Sequence, residues 1–238
     1  MTQPEEWTTA GQQSSGNARA VLDHAIQAKG GQAALRAIKT IVMTGTMVVT
    51  GSKPVTADTT SYIEYPDRFR QDARLPSGEV TQVYAAGEAW MKDQAGVHDV
   101  PPDPRENLAA TVSRDIIALL LGAADGKLTV ELVPGQDDVA PRTAEILRVT
   151  GSAMAPVDLF VDRATGVLMG KRYTVRQPGS IGKVPTDEWY SDYRAVAGVQ
   201  VAYKTIVRRG AATILEQTLT DFRPNVPIEA GLFARPAK

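Results

Sequence analysis

The stretch "HAIQAKGGQAALRAIKTIVMTGTM", residues 24–47, changes its periodicity halfway along. Its first half is rich in alanine and continues a segment from Asn17 whose apolar residues fall on one helical face. The double glycine at positions 30 and 31 predicts the end of that helix, and "GQAALRAI" predicts a second, shorter one. From Thr40 the period becomes two, which predicts a half-buried strand. We therefore expect two helices that lead, through a corner made by the glycines, into a sheet.

Strand patterns separated by proline and glycine continue to the end of the chain. Two hairpins are predicted, with "DRATG" between Phe160 and Val167 and "VAG" between Tyr193 and Val199. Many of the strands carry apolar residues on one face only, which is typical of an antiparallel sheet. About ten or eleven such strands are expected to curl rather than stay flat. The predicted fold class is α+β, mostly β, with a single curled antiparallel sheet, a half-open barrel, and helices on its concave side.

One helix is predicted to interrupt the strands, over "DPRENLAATVSRDIIALLLG", residues 103–122. Asp103 is its expected N-cap, Glu106 stands where a capping box requires an acid, and Gly122 is its expected end. Its last turn is apolar on nearly every side, which predicts that this turn is enclosed.

Composition sets limits on the organisation and partners of the chain. Its 238 residues carry a formal net charge of −1, which argues against a nucleic-acid partner. There is no cysteine, so disulfides and thiolate sites are excluded. Residues 1–16 are polar and are predicted to form a flexible tail, followed by a single domain over 17–238. No transmembrane segment is predicted, because no apolar run approaches the length of a membrane span.

Residues suited to catalysis or metal binding are sparse. The sequence contains no HExxH, Walker A, GxGxxG or GxSxG pattern. Its two histidines are His24, on the first helix, and His98, in a loop beside Asp99 and Asp103. We predict no catalytic residue, no metal site and no cofactor, although carboxylates distant in sequence could still meet in space. This scarcity of catalytic residue types favours a binding protein over an enzyme, but it does not exclude an enzyme.

Large apolar side chains are the remaining candidates for a functional site. A curled sheet of this size can enclose one small ligand, so some of them are expected to line a cavity rather than fill a core. On the mid-chain helix we expect Ile116 to lie on the buried stripe and Leu121 to face the cavity. The predicted ligand-binding residues are Met43, Met47, Tyr84, Trp90, Ile116, Leu120, Leu121, Phe160 and Trp189.

The sequence contains, in this order, the segments "GGQAALRAIKTIVMTGTM", "YPDRFRQD", "AAGEAWM", "LFVDRATGVLMGKRYT", "DYRAVAGVQVAYKTIVRR" and "DFRPNVPIEAGLFARPA". Together these segments resemble the LolA/LolB-type lipoprotein-carrier superfamily, and more closely its outer-membrane-lipoprotein-sorting-like domains. The resemblance covers about residues 17–238, and at Ala86 the sequence departs from an expected aspartate. No residue here matches the arginine that gates lipoprotein carriers.

The resemblance implies a half-open barrel, a periplasmic or cell-envelope setting, and an apolar or lipid-like ligand such as an acyl chain. The sequence given shows no signal peptide pattern. Three functions stay open. The first is non-catalytic binding or carriage of such a ligand. The second is an accessory interaction domain associated with an insulinase-like zinc peptidase, since related domains occur fused to such peptidases. Another envelope protein is a further candidate partner. The third is a small-molecule enzyme on the same fold.

Overall fold

A computed structural model describes residues 6–134, 140–152, 154–176, 182–229 and 231–236, with side chains from residue 17 onward. The helices are α1 (Glu6–Lys29), α2 (Gln32–Ala37), α3 (Pro102–Ser113) and α4 (Ile116–Ala124). The strands are β1 (Thr40–Val49), β2 (Val55–Glu64), β3 (Arg68–Leu75), β4 (Gly78–Ala85), β5 (Glu88–Asp93), β6 (Gly96–Asp99), β7 (Thr129–Val133), β8 (Ala144–Gly151), β9 (Met154–Asp162), β10 (Leu168–Arg176), β11 (Lys183–Val196), β12 (Val199–Arg209) and β13 (Ala212–Pro224).

The strands form one sheet of 13 strands in the order β6-β5-β4-β3-β2-β1-β13-β12-β11-β10-β9-β8-β7. The predicted mostly-β, single antiparallel, open sheet is therefore confirmed, with more strands than the ten or eleven expected. His98, predicted to lie in a loop, lies in strand β6. Both predicted hairpins are present, as β9–β10 and β11–β12.

This strand order explains the position of the helices. The chain leaves one edge of the sheet at β6 and re-enters at the opposite edge, β7, so the connection that contains α3 and α4 crosses the sheet. Helix α1 packs against β7, β8 and β12 and against α4. We call the side of the sheet covered by the helices the helix face. The main hydrophobic core, which includes Leu22, Leu35, Leu119 and Leu159, lies between the helices and this face.

The corner at the end of α1 forms as the glycine pair predicted. Gly30 has a φ of +128°, and a Cβ at this position would overlap the carbonyl oxygen of Gly198 in the β11–β12 turn. Only glycine allows both the positive φ and the close approach. The helix itself begins at Glu6, earlier than the predicted Asn17. The side chains of residues 6–16 lie outside the described residues, so the flexible tail stays a prediction.

The mid-chain helix differs from its prediction, because it is two helices that bend by 59° between Ser113 and Ile116. Asp115 has extended backbone, and its carboxylate accepts a hydrogen bond from Ile117 N at 2.9 Å. Aspartate favours this N-cap arrangement over the helix interior, so it starts a new helix in the middle of the predicted one.

The predicted ends of this helix also differ. Pro101 occupies the N-cap of α3 in place of Asp103, and Glu106 forms no capping box. Glu106 instead contacts Lys183 at 2.7 Å and Arg176 at 3.1 Å, and these two cations lower its pKa. Helix α4 continues past Gly122 to Ala124.

Candidate functional site

A pocket of about 200 Å³ opens on the helix face, between the C-terminus of α1, the N-terminus of α4 and strands β1 and β10–β13. We call it the central pocket. One part of its lining is apolar and comprises Ile41, Met43, Ile116, Ile117, Val199, Val201, Leu219 and Phe222. The other part is polar and comprises Lys29, Asp115, Lys171, Glu188, Tyr190 and Tyr193, with Thr205 and Gln217 beside it.

The apolar wall follows from strand pairing at the centre of the sheet. Strand β1 pairs with β13, which sets Met43 opposite Phe222 and Gly45 opposite Leu219. Alternation along the strands points Ile41 and Met43 to the same face, toward the helices. This wall therefore joins residues that are far apart in the chain.

Four side chains form the Glu188 network, which makes up much of the polar wall. Tyr173 donates to Glu188 Oε1 at 2.7 Å, and Tyr190 donates to Glu188 Oε2 at 2.8 Å. Lys171 Nζ lies 3.4 Å from the same carboxylate and donates to the carbonyl oxygen of Arg114 at 2.7 Å. The network thereby connects β10 and β11 to the junction between α3 and α4.

The network shifts the pKa of Glu188, Tyr173 and Tyr190 away from neutral pH. Burial raises the pKa of Glu188, but Lys171 and the two tyrosine hydroxyls outweigh it, so the net pKa is lowered. Burial, reinforced by Glu188, raises the pKa of both Tyr173 and Tyr190. A carboxylate whose oxygens already accept these bonds is poorly suited to proton transfer. The geometry favours a satisfied polar wall over an acid–base pair.

Asp115 has two roles at the rim of the pocket. Besides capping α4, its Oδ1 accepts a hydrogen bond from the Tyr65 hydroxyl at 2.5 Å. Burial and this carboxylate together raise the pKa of Tyr65 well above its ordinary value. Asp115 therefore fixes the start of α4 to the β2–β3 connection, and with it the position of Ile116.

Lys29 enters the pocket from the last turn of α1 and is not among the predicted ligand-binding residues. Its side chain lies over the ring of Tyr193, with Nζ 5.8 Å from the ring centroid. Loss of solvation lowers the pKa of Lys29 to about 8, although Asp115 acts in the opposite direction. The only signal in the sequence was a basic residue in the last helical turn, which more commonly interacts with the helix C-terminus.

Two further cavities lie nearby. A side pocket of about 350 Å³, lined by Ala25, Thr165 and Leu168 among others, shares Lys29 and Tyr193 with the central pocket. On the opposite face lies a polar groove of about 900 Å³, lined mainly by threonines and charged residues of β1–β5, with the predicted ligand-binding residue Trp90 among its apolar members.

The charges of the polar groove are largely paired with one another. Arg70 lies 2.9 Å from Asp72, which also accepts from the Thr81 hydroxyl at 2.6 Å, and Arg74 lies 3.1 Å from Glu79. The groove is the larger cavity, but its lining is about equally polar and apolar, whereas the lining of the central pocket is mostly apolar. We therefore take the central pocket as the candidate site.

Of the predicted ligand-binding residues, Met43 and Ile116 line the central pocket. Leu120 is fully buried in the main core, and Tyr84 and Leu121 pack against that core. Met47 lies on β1 beyond the pocket, opposite Ala57 and Gln217. Ile116 lines the central pocket and also packs against the core, whereas Leu121 packs against the core and does not line this pocket.

The three remaining predicted residues lie on the opposite face of the sheet. Phe160 stacks on Trp189 with ring centroids 5.2 Å apart, within a small cluster that includes Ile146. Trp90 packs with Phe233 near the C-terminus, and its indole N–H donates to the Phe233 carbonyl oxygen at 3.3 Å. Their ligand-binding role stays a prediction, and none of the three lines the central pocket.

Neither histidine lies near a set of metal ligands. His98 Nε2 lies 3.0 Å from Asp93 Oδ2, and this carboxylate raises the pKa of His98. Asp103 instead lies 3.7 Å from Arg176. Among the described residues, no three His, Cys, Asp or Glu side chains are grouped closely enough to hold a metal ion.

No single helix among the described residues is long and apolar enough to cross a bilayer. Helices α3 and α4 reach the required values only when they are taken together, across their 59° bend.

Comparisons with known proteins identify the fold. No protein-family model matches the sequence, and no curated protein does either. Among solved structures, a LolA superfamily protein from Nitrosomonas europaea superposes with a TM-score of 0.61 at 9% identity, covering 92% of this chain and 97% of that one.

Two further structures agree with this match. A putative outer membrane lipoprotein-sorting protein domain from Vibrio parahaemolyticus gives a TM-score of 0.58 at 12% identity, covering 91% of this chain and 97% of that one. A DUF1329 family protein from Desulfovibrio piger gives 0.59 at 12% identity, covering 90% and 96%. The predicted fusion to insulinase-like peptidases stays a prediction. The chain has the fold of the LolA superfamily proteins, as the resemblance in its sequence indicated.

Proposed function

We propose that the protein binds an apolar or lipid-like ligand, such as an acyl chain, in the central pocket, and that it does so in the bacterial cell envelope without catalysing a reaction. The observation that carries this proposal is the apolar wall formed by Met43, Ile116 and Phe222 beneath two helices. Ligand pockets of this kind combine apolar lining with a few placed polar groups.

The size of the central pocket limits what it can hold. At about 200 Å³ it lies below the ordinary range for drug-sized ligands, so it suits part of a single chain rather than a whole two-chain lipid. Each methylene removed from water contributes about 0.8 kcal/mol, so even a short chain gains useful binding energy there. The side pocket, which shares Lys29 and Tyr193, offers adjoining space.

The structural neighbours support the envelope setting of the proposal. One of them is described as an outer membrane lipoprotein-sorting protein domain and another as a LolA superfamily protein. Their identity to this chain is 12% and 9%, so they support the fold, and the ligand must be argued from the pocket itself.

Titration with the neutral fluorescent probe N-phenyl-1-naphthylamine, followed by displacement with decanol, tests this function. Met43→Gln places an amide against the apolar wall, and burying such a group without a partner costs about 1–3 kcal/mol. We expect about tenfold weaker probe binding. Met47→Gln is the matched control, because Met47 is a half-buried methionine of the same strand that does not line the pocket.

The two variants separate the possible outcomes. Weaker binding by Met43→Gln with unchanged binding by Met47→Gln supports the central pocket as the site. Equal effects of both variants, or a parent protein that binds neither probe nor decanol, contradict the proposal.

A further inference from the structure

Lys29 is a cation placed beside an apolar wall with no anion in contact with it. Among the described residues, neither a hydrogen bond nor an ion pair within 4.0 Å joins Lys29 to another side chain. Its ammonium group lies over the ring of Tyr193, and the acidic group that acts on it, without contact, is Asp115. We propose that Lys29 binds the anionic head group of an acyl ligand, a carboxylate or a phosphate monoester. This inference rests on the proposed function, because the chain of that ligand would occupy the apolar wall.

The fold positions Lys29 at the pocket rather than in solvent. Helix α1 ends at Lys29 because Gly30 adopts a positive φ in contact with Gly198, which fixes the helix end against the β11–β12 hairpin. The same hairpin carries Tyr193, whose hydroxyl donates to the carbonyl oxygen of Leu168 at 2.5 Å. The ring of Tyr193 is thus held at one end by strand β11 and at the other end by the hydrogen bond of its hydroxyl.

The neighbouring charges leave Lys29 as the group able to bind an anion. Lys171 already contacts Glu188 and the Arg114 carbonyl oxygen. Asp115 is occupied by the N-terminus of α4 and by Tyr65. Tyr190 donates to Glu188.

The energetic state of Lys29 supports a binding role. Its pKa falls to about 8 because the folded protein removes water from the ammonium group, so the charge is held at a cost to stability. Titratable groups whose pKa is strongly shifted by burial concentrate at functional sites. An incoming oxyanion would restore the missing partner through charge-assisted hydrogen bonds, which are the stronger kind.

The position of Lys29 also fits a ligand with a head and a chain. It lines both the central pocket and the side pocket, at their common boundary with Tyr193. A head group at Lys29 leaves the chain free to run along Met43 and Ile116. A lysine can serve either anion, because its ammonium acts as a compact charge with rotatable donors.

The test compares three ligands with the same chain. Decanoate, decyl phosphate and decanol displace N-phenyl-1-naphthylamine from the parent protein and from Lys29→Met, Lys29→Arg and Lys39→Met. Measurements at pH 7 keep Lys29 protonated, because its pKa is about 8. The parent should bind at least one of the anions about tenfold more tightly than decanol, as expected for a hydrogen bond to a charged group. A comparison of decanoate with decyl phosphate identifies the preferred head group.

The variants decide whether Lys29 is responsible. Lys29→Met should lose the preference for the anion while its affinity for decanol stays the same, and Lys29→Arg should retain much of the preference. Lys39→Met, which changes an exposed lysine outside the pocket, should behave as the parent. Decanol binding with no preference for either anion, or a preference that survives in Lys29→Met, overturns this inference alone. A parent that binds neither the probe nor decanol overturns the proposed function as well.

Discussion

Replacing Asp115 by alanine should destabilise the protein by about 2–4 kcal/mol. Loss of an aspartate N-cap costs about 1 kcal/mol, with a range of 0.5–2. The Tyr65 hydroxyl also loses its acceptor, and an unsatisfied polar group costs about 1–3 kcal/mol. Tyr65 is only half-buried, which places the second contribution toward the low end of its range.

Urea unfolding of Asp115→Ala, followed by circular dichroism, measures this loss. With a slope m of about 3 kcal/mol/M, the midpoint should fall by about 1 M while the slope stays constant. Asp115→Asn is the matched control, because asparagine caps helices about as well as aspartate and keeps an acceptor oxygen. Its midpoint should fall by clearly less.

A double-mutant cycle with Tyr65→Phe isolates the bond between the two side chains. In Asp115→Ala/Tyr65→Phe no hydroxyl is left without a partner, so the double variant should be more stable than the sum of the single losses predicts by about 1 kcal/mol. Additive losses, or an Asp115→Ala variant as stable as Asp115→Asn, would refute the assignment of Asp115 as the residue that joins α4 to the sheet.

Three further predictions concern the backbone corners and the charge of Lys29. Gly30→Ala should lower the free energy of unfolding by about 2–5 kcal/mol, measured by thermal or urea unfolding, because it adds a strained φ and an overlap with Gly198. Gly126→Ala adds the strain without an overlap and should lower it by about 1–2 kcal/mol, so equal losses would contradict the close approach at Gly30. Ala86→Asn should stabilise by about 0.5–1 kcal/mol, since Ala86 has a φ of +51° that asparagine tolerates better, and an unchanged melting temperature would contradict this. Lys29→Met should be more stable than the parent at pH 7, and this advantage should shrink as the pH rises from about 8 toward 10. In that range the unfolded parent binds more protons than the folded parent, so the parent gains stability as the pH rises. A difference in unfolding free energy that stays constant with pH would refute the lowered pKa.

The local parts of the fold were predictable because their signals are local. The glycine pair at residues 30 and 31, the period-two strand from Thr40 and the two hairpin turns each depend on neighbouring residues. In the "DRATG" turn, for example, the carboxylate of Asp162 accepts from Thr165 N at 2.9 Å and from the Thr165 hydroxyl at 2.7 Å. Such turn chemistry is visible in the sequence.

The break in the mid-chain helix was missed because two signals competed. The apolar spacing continues through Asp115 as though one helix ran over residues 103–122, yet an aspartate directly before "IIALLL" is itself an N-cap signal. The structure shows that the cap prevails. The new helix start places Ile116 in the first turn of α4, at the central pocket.

The site was only partly predictable because burial does not identify the side of a sheet on which a residue packs. Phe160 and Trp189 are as large and apolar as any cavity residue, but strand pairing places them on the opposite face. Met43 was identified through its alternation with Thr44. Lys29 and Glu188 were missed, since their importance depends on contacts between segments far apart in the chain.

Residue-level mapping of a photoreactive ligand tests the central claim most directly. A fatty acid with a diazirine at the end of its chain is irradiated on the protein, and labelled residues are located by tandem mass spectrometry with and without excess decanoate. The account predicts saturable labels on the lining of the central pocket, chiefly at Met43, Ile116 and Leu219. Labels concentrated in the polar groove around Asp72 and Thr81, or labels that decanoate does not compete away, would contradict it.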